Sequence, residues 1–357
     1  MMFQKFKDNQ KETLCILRPD GTLSELASNA SFLSDEKILE AYRLMVLARQ
    51  ADEWAVSLNR QGRMPTYPPN KGQEACAVGS ILALREDDWL VPAFRELGAL
   101  IAKGIPLHQV YTYWYGNEQG SNLPVDRFHT LPISIPVGSQ PLHAVGIAYA
   151  EKLKNSDRIA LTFMGEGATS QGAVHEAFNL AGVWGVGVIF FVQNNQWAIS
   201  LPTEEQTATR TLAEKACAYG FESVQIDGND LLAVYAATAA GTRIAREQGR
   251  PVLIEGYTYR LGAHTTADDP KLYRDETQVE AWMEKDPLIR LERYLQGKGL
   301  LSETETGTLK EQAAAQAKKA FERTESEPDP SLEDTFGYTF SALPPVLERQ
   351  LQRRKRA

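Results

Sequence analysis

Two short polar clusters near the middle of the chain hold residue types suited to binding a metal and a phosphate. Gly165-Glu166-Gly167 follows the apolar run Ile159–Met164, and Asn194-Asn195 follows a second apolar run, Val186–Val192, with 26 residues (168 to 193) between the clusters. Glycines on either side of an acid let the backbone approach a phosphate closely while the carboxylate faces the same point. The asparagine adds a neutral oxygen. Carboxylate, amide oxygen and diphosphate oxygens together form the oxygen-only octahedral shell that magnesium prefers. A lone Gly-acid-Gly reads as a β-turn. The pair, each member after an apolar run and one helical stretch apart, reads as a cofactor site. The start of the helix after Gly172 adds positive dipole at the same end.

Five histidines are available for proton transfer. His108 and His143 sit in stretches patterned as helix, and His175 lies in the helix after the phosphate turn, so these read as packed or capping side chains. His129 falls in a loop near the cofactor segment, where a supporting role is expected. His264 follows a strand ending in Tyr259-Arg260 and shares a polar loop with Thr265, Thr266, Asp268 and Asp269. Pattern alone leaves both a loop histidine and a catalytic group open there.

The elements that must carry these residues follow from periodicity and punctuation. Strands are expected at Ile159–Met164, Val186–Val192, Ser223–Ile226 and Pro251–Tyr259. Helices are expected between them, at about Ala173–Trp184 and Leu231–Glu247, the second opened by Asp230 and closed by Gly249. Such alternation implies an α/β fold: a doubly wound, mostly parallel sheet with helices on both faces. Right-handed crossovers then bring the polar strand ends to one edge. Residues 1–33 read as an N-terminal arm with a hairpin at Pro19-Asp20-Gly21, residues 34–275 as the α/β domain, and residues 276–357 as a helical region packed on it. A long helix is expected after the N-cap Ser34, its apolar face running Leu44, Leu47, Ala51, Trp54 and Leu58 and its end at Gly62. Met64–Gln140 reads as short helices between loops, Glu311–Thr324 as an amphipathic helix, and Arg349–Arg356 as a basic, solvated helix end.

Composition narrows the class. The chain has 357 residues, is 43% hydrophobic and 24% charged, and carries a formal net charge of -8, which suits a large packed core and argues against a dedicated nucleic-acid binder. No apolar run is long enough to span a membrane, and Met1–Gln10 lacks the apolar core of a secretory signal. Cys15, Cys76 and Cys217 fit neither a metal spacing nor a disulfide framework, so the reducing cytoplasm is the expected location.

The Gly-acid-Gly to Asn-Asn spacing resembles the signature of thiamine-diphosphate enzymes, and the residues around it resemble one branch of them. Gly165–Gly172 (GEGATSQG), His175–Leu180 (HEAFNL), Gln193–Ser200 (QNNQWAIS), Ser57–Arg63 (SLNRQGR), Lys71–Ala75 (KGQEA) and Tyr257–Thr265 (YTYRLGAHT) look like the alpha subunit of a two-chain 2-oxoacid dehydrogenase. Asp268-Asp269-Pro270 and Tyr273-Arg274 match as well, and the resemblance runs from about residue 14 to 345. It implies thiamine diphosphate and Mg2+ as cofactors. Glu166 and Asn195 would bind the metal through side chains and Trp197 through its carbonyl, while Gly165 would lie in the cradle and Gly167 and Ala168 would meet the diphosphate through backbone amides. Phe94 and Arg95 occupy the family's aromatic–arginine positions, Arg95 gripping the diphosphate. Ile135 and Val137 match positions against the aminopyrimidine, and Ser134, Pro136, Ser139 and Gln140 match a monovalent-cation site of branched-chain relatives. His264 stands at the family's catalytic histidine and Thr265 at the serine phosphorylated in animal relatives.

Two departures stand out. Glu166 replaces the aspartate of most bacterial pyruvate-type members, and Gln193 stands where some branched-chain members have a phosphate-binding arginine. Cofactor activation needs a carboxylate beside the pyrimidine, and no glutamate here is in an obvious setting for it. In the family it belongs to the beta subunit, so the resemblance implies an alpha-two beta-two heterotetramer working with a lipoyl acyltransferase. It implies no nucleic-acid or membrane partner. Pyruvate is the expected substrate, favoured by Asn59–Gly62 and by the chain length. Gln225–Asp230 and Glu166 lean toward a branched-chain 2-oxoacid, and acetoin dehydrogenase shares the cofactor site. Retained Glu166, Asn195 and His264 speak against a non-catalytic scaffold subunit. A nicotinamide-dependent Rossmann enzyme is disfavoured because no Gly-x-Gly-x-x-Gly follows a strand.

Overall fold

The computed structural model describes residues 13–29, 33–337 and 340–356; the expectation for Met1–Gln10 lies outside them. Five strands form one parallel sheet: β1 (Trp89–Val91), β2 (Ala160–Gly165), β3 (Val188–Asn194), β4 (Glu222–Asp227) and β5 (Val252–Tyr257). Their spatial order is β1-β2-β3-β5-β4. The central strands are buried on both faces, as a parallel sheet between helices requires.

Side chains of successive strand residues go to opposite layers. Phe163, Phe191 and Ile254 join one core with α1 (Asp35–Arg60), α2 (Glu74–Ile81) and α5 (Leu231–Gln248). Met164, Val192 and Leu253 join another with α3 (Gln140–Leu153) and α4 (Gly172–Trp184). This is the doubly wound arrangement expected from the sequence. Ser34 caps α1 by accepting from the Lys37 N–H, and Gly62, at φ +72, turns the chain away after it. Asp230 caps α5 by accepting from Leu232 N and Ala233 N.

Two expectations need correction. The strand β1 was not anticipated, because three residues carry no measurable periodicity. The buried face of α1 is wider than read: Ala51 and Leu58 are buried, but Leu44, Leu47 and Trp54 lie on its flanks, while Ile38, Tyr42, Met45 and Ala55 point inward. The cause is packing on several sides, since α1 lies against α2, Leu97–Ala102, α6 (Pro287–Gly297) and α7 (Glu303–Ser326).

The hairpin at Pro19-Asp20-Gly21 is present, closed by a Leu17–Leu23 bridge, with Gly21 at φ +87. Upstream of it Leu14 pairs with Ile226 at the free edge of β4. Asp230 receives the N–H groups of Ile16 and Leu17 at 2.6 and 2.7 Å, which fastens the arm to the start of α5. The basic stretch lies at the end of α8 (Pro345–Lys355), as expected. No helix among the described residues is long and apolar enough to cross a membrane.

Candidate active site

Because all five strands run the same way, the ends of β2 and β3 emerge side by side, with Gly165 in register with Gln193. Glu166 follows β2 and is 3% exposed; its Oε2 accepts the Asn195 N–H at 3.1 Å. The two clusters read from the sequence are therefore in contact. Asn195 is also buried, donating from Nδ2 to Gln73 Oε1 at 3.2 Å and accepting the Trp197 N–H on Oδ1 at 3.3 Å. Burial raises the Glu166 carboxyl above the usual carboxylate range, opposed by the Asn195 N–H and by Arg260 and Arg95.

His264 lies half-buried between two guanidinium groups. Arg95 Nη2 and Arg260 Nη1 each stand 3.2 Å from its Nδ1. Arginine nitrogens can only donate, so Nδ1 accepts and Nε2 carries the proton. Burial, then the charges of Arg95 and Arg260, push the His264 pKa down to about 4. The loop is pinned from behind: Asp268 Oδ2 accepts the His264 N–H at 2.8 Å and the Tyr273 hydroxyl at 2.5 Å. Arg260 donates to the carbonyls of Trp197 (3.0 Å) and Ile199 (2.8 Å), so one side chain joins the His264 loop to the Asn195 turn. Phe94 packs edge-on against His264, and Arg95 lies against its ring. Arg95 Nη2 also donates to the His264 carbonyl at 2.9 Å and Nη1 to the Pro69 carbonyl.

The remaining sequence-derived residues fall around this centre. Ser134 N donates to Ala93 O at 3.0 Å, which sets the 134–140 loop beside Phe94 and Arg95. Within the loop Ser134 Oγ and Ser139 Oγ are 3.2 Å apart, and Gln140 Nε2 donates to the carbonyls of Ser134 (2.6 Å) and Pro136 (3.2 Å). The four residues matched to a cation site thus converge, with an amide nitrogen holding the carbonyls. Ile135 and Val137 are about half exposed, at 51% and 52%, two apolar side chains left open to solvent. Gly167 and Ala168 lie in the short 3-10 turn Glu166–Ser170.

His129 is not near the site. It packs on Trp89 and meets Arg158 Nη1 at 3.2 Å, at the opposite end of β1, because the residues after it run alongside that strand. His108 and His143 are helical, as read. One buried acid was missed: Glu96 accepts from Gln193 Nε2 and from Arg95 N, both at 3.0 Å, and burial pushes its pKa up to about 7. Its position next to Arg95 was the only available signal.

The donor set suits magnesium and a diphosphate. One carboxylate, one amide and one carbonyl are all hard oxygen ligands, and two guanidinium groups stand beside them. A Cβ at Gly165 would meet nothing within 4 Å, which leaves room for a group against the backbone. Gln73 Nε2, Gln193 Oε1 and Arg260 Nε are buried without a partner. No cluster of three or more His, Cys, Asp or Glu suited to a metal occurs among the described residues, so a cation held by Glu166 would complete its shell with neutral and phosphate oxygens.

A parallel α/β sheet with such residues at its carboxyl edge is consistent with the thiamine-diphosphate-binding class of fold. Comparison with known proteins is specific within that class. The model of the dehydrogenase E1 component family matches residues 42–333. The chain is 41% identical over 345 residues to the 3-methyl-2-oxobutanoate dehydrogenase subunit alpha of Mycobacterium tuberculosis, covering 95% of this chain and 92% of that one. It is 40% identical over 326 residues to the pyruvate dehydrogenase E1 component subunit alpha of Acholeplasma laidlawii, covering 91% and 94%. The Bacillus subtilis subunit of the same name is 39% identical over 321 residues, covering 90% and 86%. The chain belongs to the dehydrogenase E1 component family, as an alpha subunit of a 2-oxoacid dehydrogenase.

Proposed function

We propose that the chain, paired with a beta subunit as an alpha-two beta-two heterotetramer, oxidatively decarboxylates pyruvate with thiamine diphosphate and Mg2+. The acyl group passes to the lipoyl group of an acyltransferase component. The observation that carries this reading is the contact of Glu166 with Asn195 beside a His264 held by two arginines.

Thiamine diphosphate, when bound, supplies a nucleophilic carbon and an electron sink for decarboxylation. Glu166, Asn195 and the Trp197 carbonyl would hold Mg2+. The Trp197 oxygen has a second lone pair beside the one Arg260 uses, so it can serve both. Gly167 and Ala168 amides and the Arg95 guanidinium would neutralise the diphosphate, with Gly165 leaving space for it. Phe94, Ile135 and Val137 would form the apolar wall toward the pyrimidine. His264, neutral with its proton on Nε2, would donate to the substrate or to the acyl acceptor and orient it. Turning the Gln140 amide over would bring its oxygen to the Ser134 and Pro136 carbonyls and Ser139, a set suited to a monovalent cation. Both Glu96 oxygens are engaged by Gln193 and Arg95, so the carboxylate that activates the pyrimidine is assigned to the partner chain.

A branched-chain 2-oxoacid is the second reading, favoured by Glu166 and by the 41% identity to the mycobacterial subunit. Decarboxylation by the chain assembled with its beta partner, comparing kcat/KM for pyruvate and 2-oxoisovalerate, decides between them. A clear preference for 2-oxoisovalerate overturns the pyruvate assignment.

A further inference from the structure

The 3-10 helix Ala213–Tyr219 has no part in the site as described, yet it is tied to both metal-ligand turns. On the Glu166 side, Tyr219 OH lies 2.6 Å from His175 Nδ1, and His175 Nε2 lies 3.0 Å from the Thr169 carbonyl. A carbonyl only accepts, so Nε2 is the donor, Nδ1 is bare and the tyrosine donates to it. Lys215 Nζ donates to the same carbonyl at 3.2 Å and to Thr169 Oγ1 at 2.8 Å, and Thr169 Oγ1 donates to the Glu166 carbonyl at 2.8 Å. On the Asn195 side, Glu255 is fully buried in β5. Its Oε2 accepts the Ala213 N–H at 2.9 Å and its Oε1 accepts Asn194 Nδ2 at 2.7 Å, one residue before the ligand asparagine.

We infer that this helix, through His175 and Tyr219 at one end and Glu255 at the other, is a buttress that fixes the spacing of Glu166 and Asn195 and so sets the size of cation the site accepts. The inference rests on the cofactor reading above and adds a selectivity function to it. His175, Tyr219 and Glu255 are positioning residues, since each acts through Thr169, Asn194 or the Ala213–Tyr219 helix and none belongs to the ligand set proposed above. Magnesium demands near-ideal octahedral geometry at about 2.0–2.1 Å, whereas calcium tolerates irregular shells at about 2.3–2.6 Å. A slackened buttress therefore weakens magnesium binding more than calcium binding, while a loss of general stability weakens both alike.

The test is thiamine diphosphate titration of the protein assembled with its beta partner, followed by intrinsic tryptophan fluorescence, once in Mg2+ and once in Ca2+. His175→Phe keeps an aromatic ring and removes both hydrogen bonds; the ratio of the Ca2+ to the Mg2+ dissociation constants is expected to fall at least threefold. His175→Gln, whose amide nitrogen can reach the Thr169 carbonyl, should hold the ratio near wild type. Tyr219→Phe, which loses only a hydroxyl, should lower it in the same direction and covers the case in which His175→Phe does not assemble. An unchanged ratio in both Phe variants, or equal weakening with the two cations, overturns the buttress while leaving the cofactor reading intact. A wild-type assembly that binds thiamine diphosphate with neither cation overturns the cofactor reading and the buttress with it.

Discussion

Burial, together with two positive charges facing one ring nitrogen, favours the neutral form of His264 at neutral pH. With its pKa pushed to about 4, the imidazole is expected to stay neutral down to about pH 5. Five histidines are few enough to resolve after selective 13C labelling. One resonance should titrate near 4 and move up toward the ordinary value of about 6.5 when Arg260 is replaced by Gln; a wild-type His264 titrating near 6.5 would contradict the tautomer and field described here. The consequence for stability has a definite sign. The unfolded chain takes up this proton near pH 6.5 and the folded chain only near 4, so the unfolded state binds more protons between those values. The His264 contribution is intact above about pH 6.5 and is lost as pH falls toward 4. Glu166 tests the metal reading directly. Glu166→Gln keeps the shape and removes the charge that would balance Mg2+ in the proposed site, so thiamine diphosphate affinity should fall at least about tenfold, or about 1.4 kcal/mol, by calorimetry. Unaltered affinity would remove Glu166 from the ligand set.

Between elements, the site depends on how closely the turn after β2 meets the short hairpin Trp197–Ala198 with Leu201–Pro202. A Cβ on Gly167 would come within 2.7 Å of Ala198 Cβ, so Gly167→Ala must displace the hairpin that carries the Trp197 carbonyl. A loss of about 1–3 kcal/mol is expected, read as weaker cofactor binding together with a lower Tm; normal binding would show that the hairpin yields freely. That contact was invisible in the sequence, because no local pattern reports which side chains two separate turns bring together. Strands β2 and β3 were legible because they are continuous apolar runs ending abruptly in polar residues, and helix α5 because Asp230 and Gly249 punctuate it. The pairing of Glu166 with Asn195 followed from parallel topology alone. By contrast, the meeting of Arg95 with His264 links residues far apart in the chain, and no local pattern signals it. Glu96 was overlooked for the same reason: its partner Gln193 lies on a different element, and a buried acid looks like any other glutamate until the sheet is assembled. His129 was misplaced because a loop near the cofactor segment in sequence need not be near it in space.

Taken whole, the molecule is a scaffold with its candidate site at one edge of the sheet. Helices α6 and α7 share their apolar core with α1 and α2, and Arg49 on α1 is buried between Glu74 on α2 and Asp286 at the start of α6. Ile135, Val137 and Ile199 remain exposed around the site, apolar surface of the kind a partner chain covers. The isolated chain is therefore expected to show no decarboxylation of either 2-oxoacid at saturating thiamine diphosphate and Mg2+, and the beta chain should restore it. Sedimentation alongside the assay should show the mass rise to that of a heterotetramer. Full turnover by the chain alone would place the activating carboxylate here. Each outer strand of the sheet, finally, is bridged at one residue: Leu14 bridges to Ile226 near the end of β4, and Thr130 bridges to Leu90 on β1. Open strand edges are templates on which copies of a protein stack into insoluble aggregates. The arm covers part of the β4 edge and buries Ile16 and Leu17, so a chain begun at residue 18 is expected to precipitate sooner on warming than the intact one, even with Glu166, Asn195 and His264 untouched.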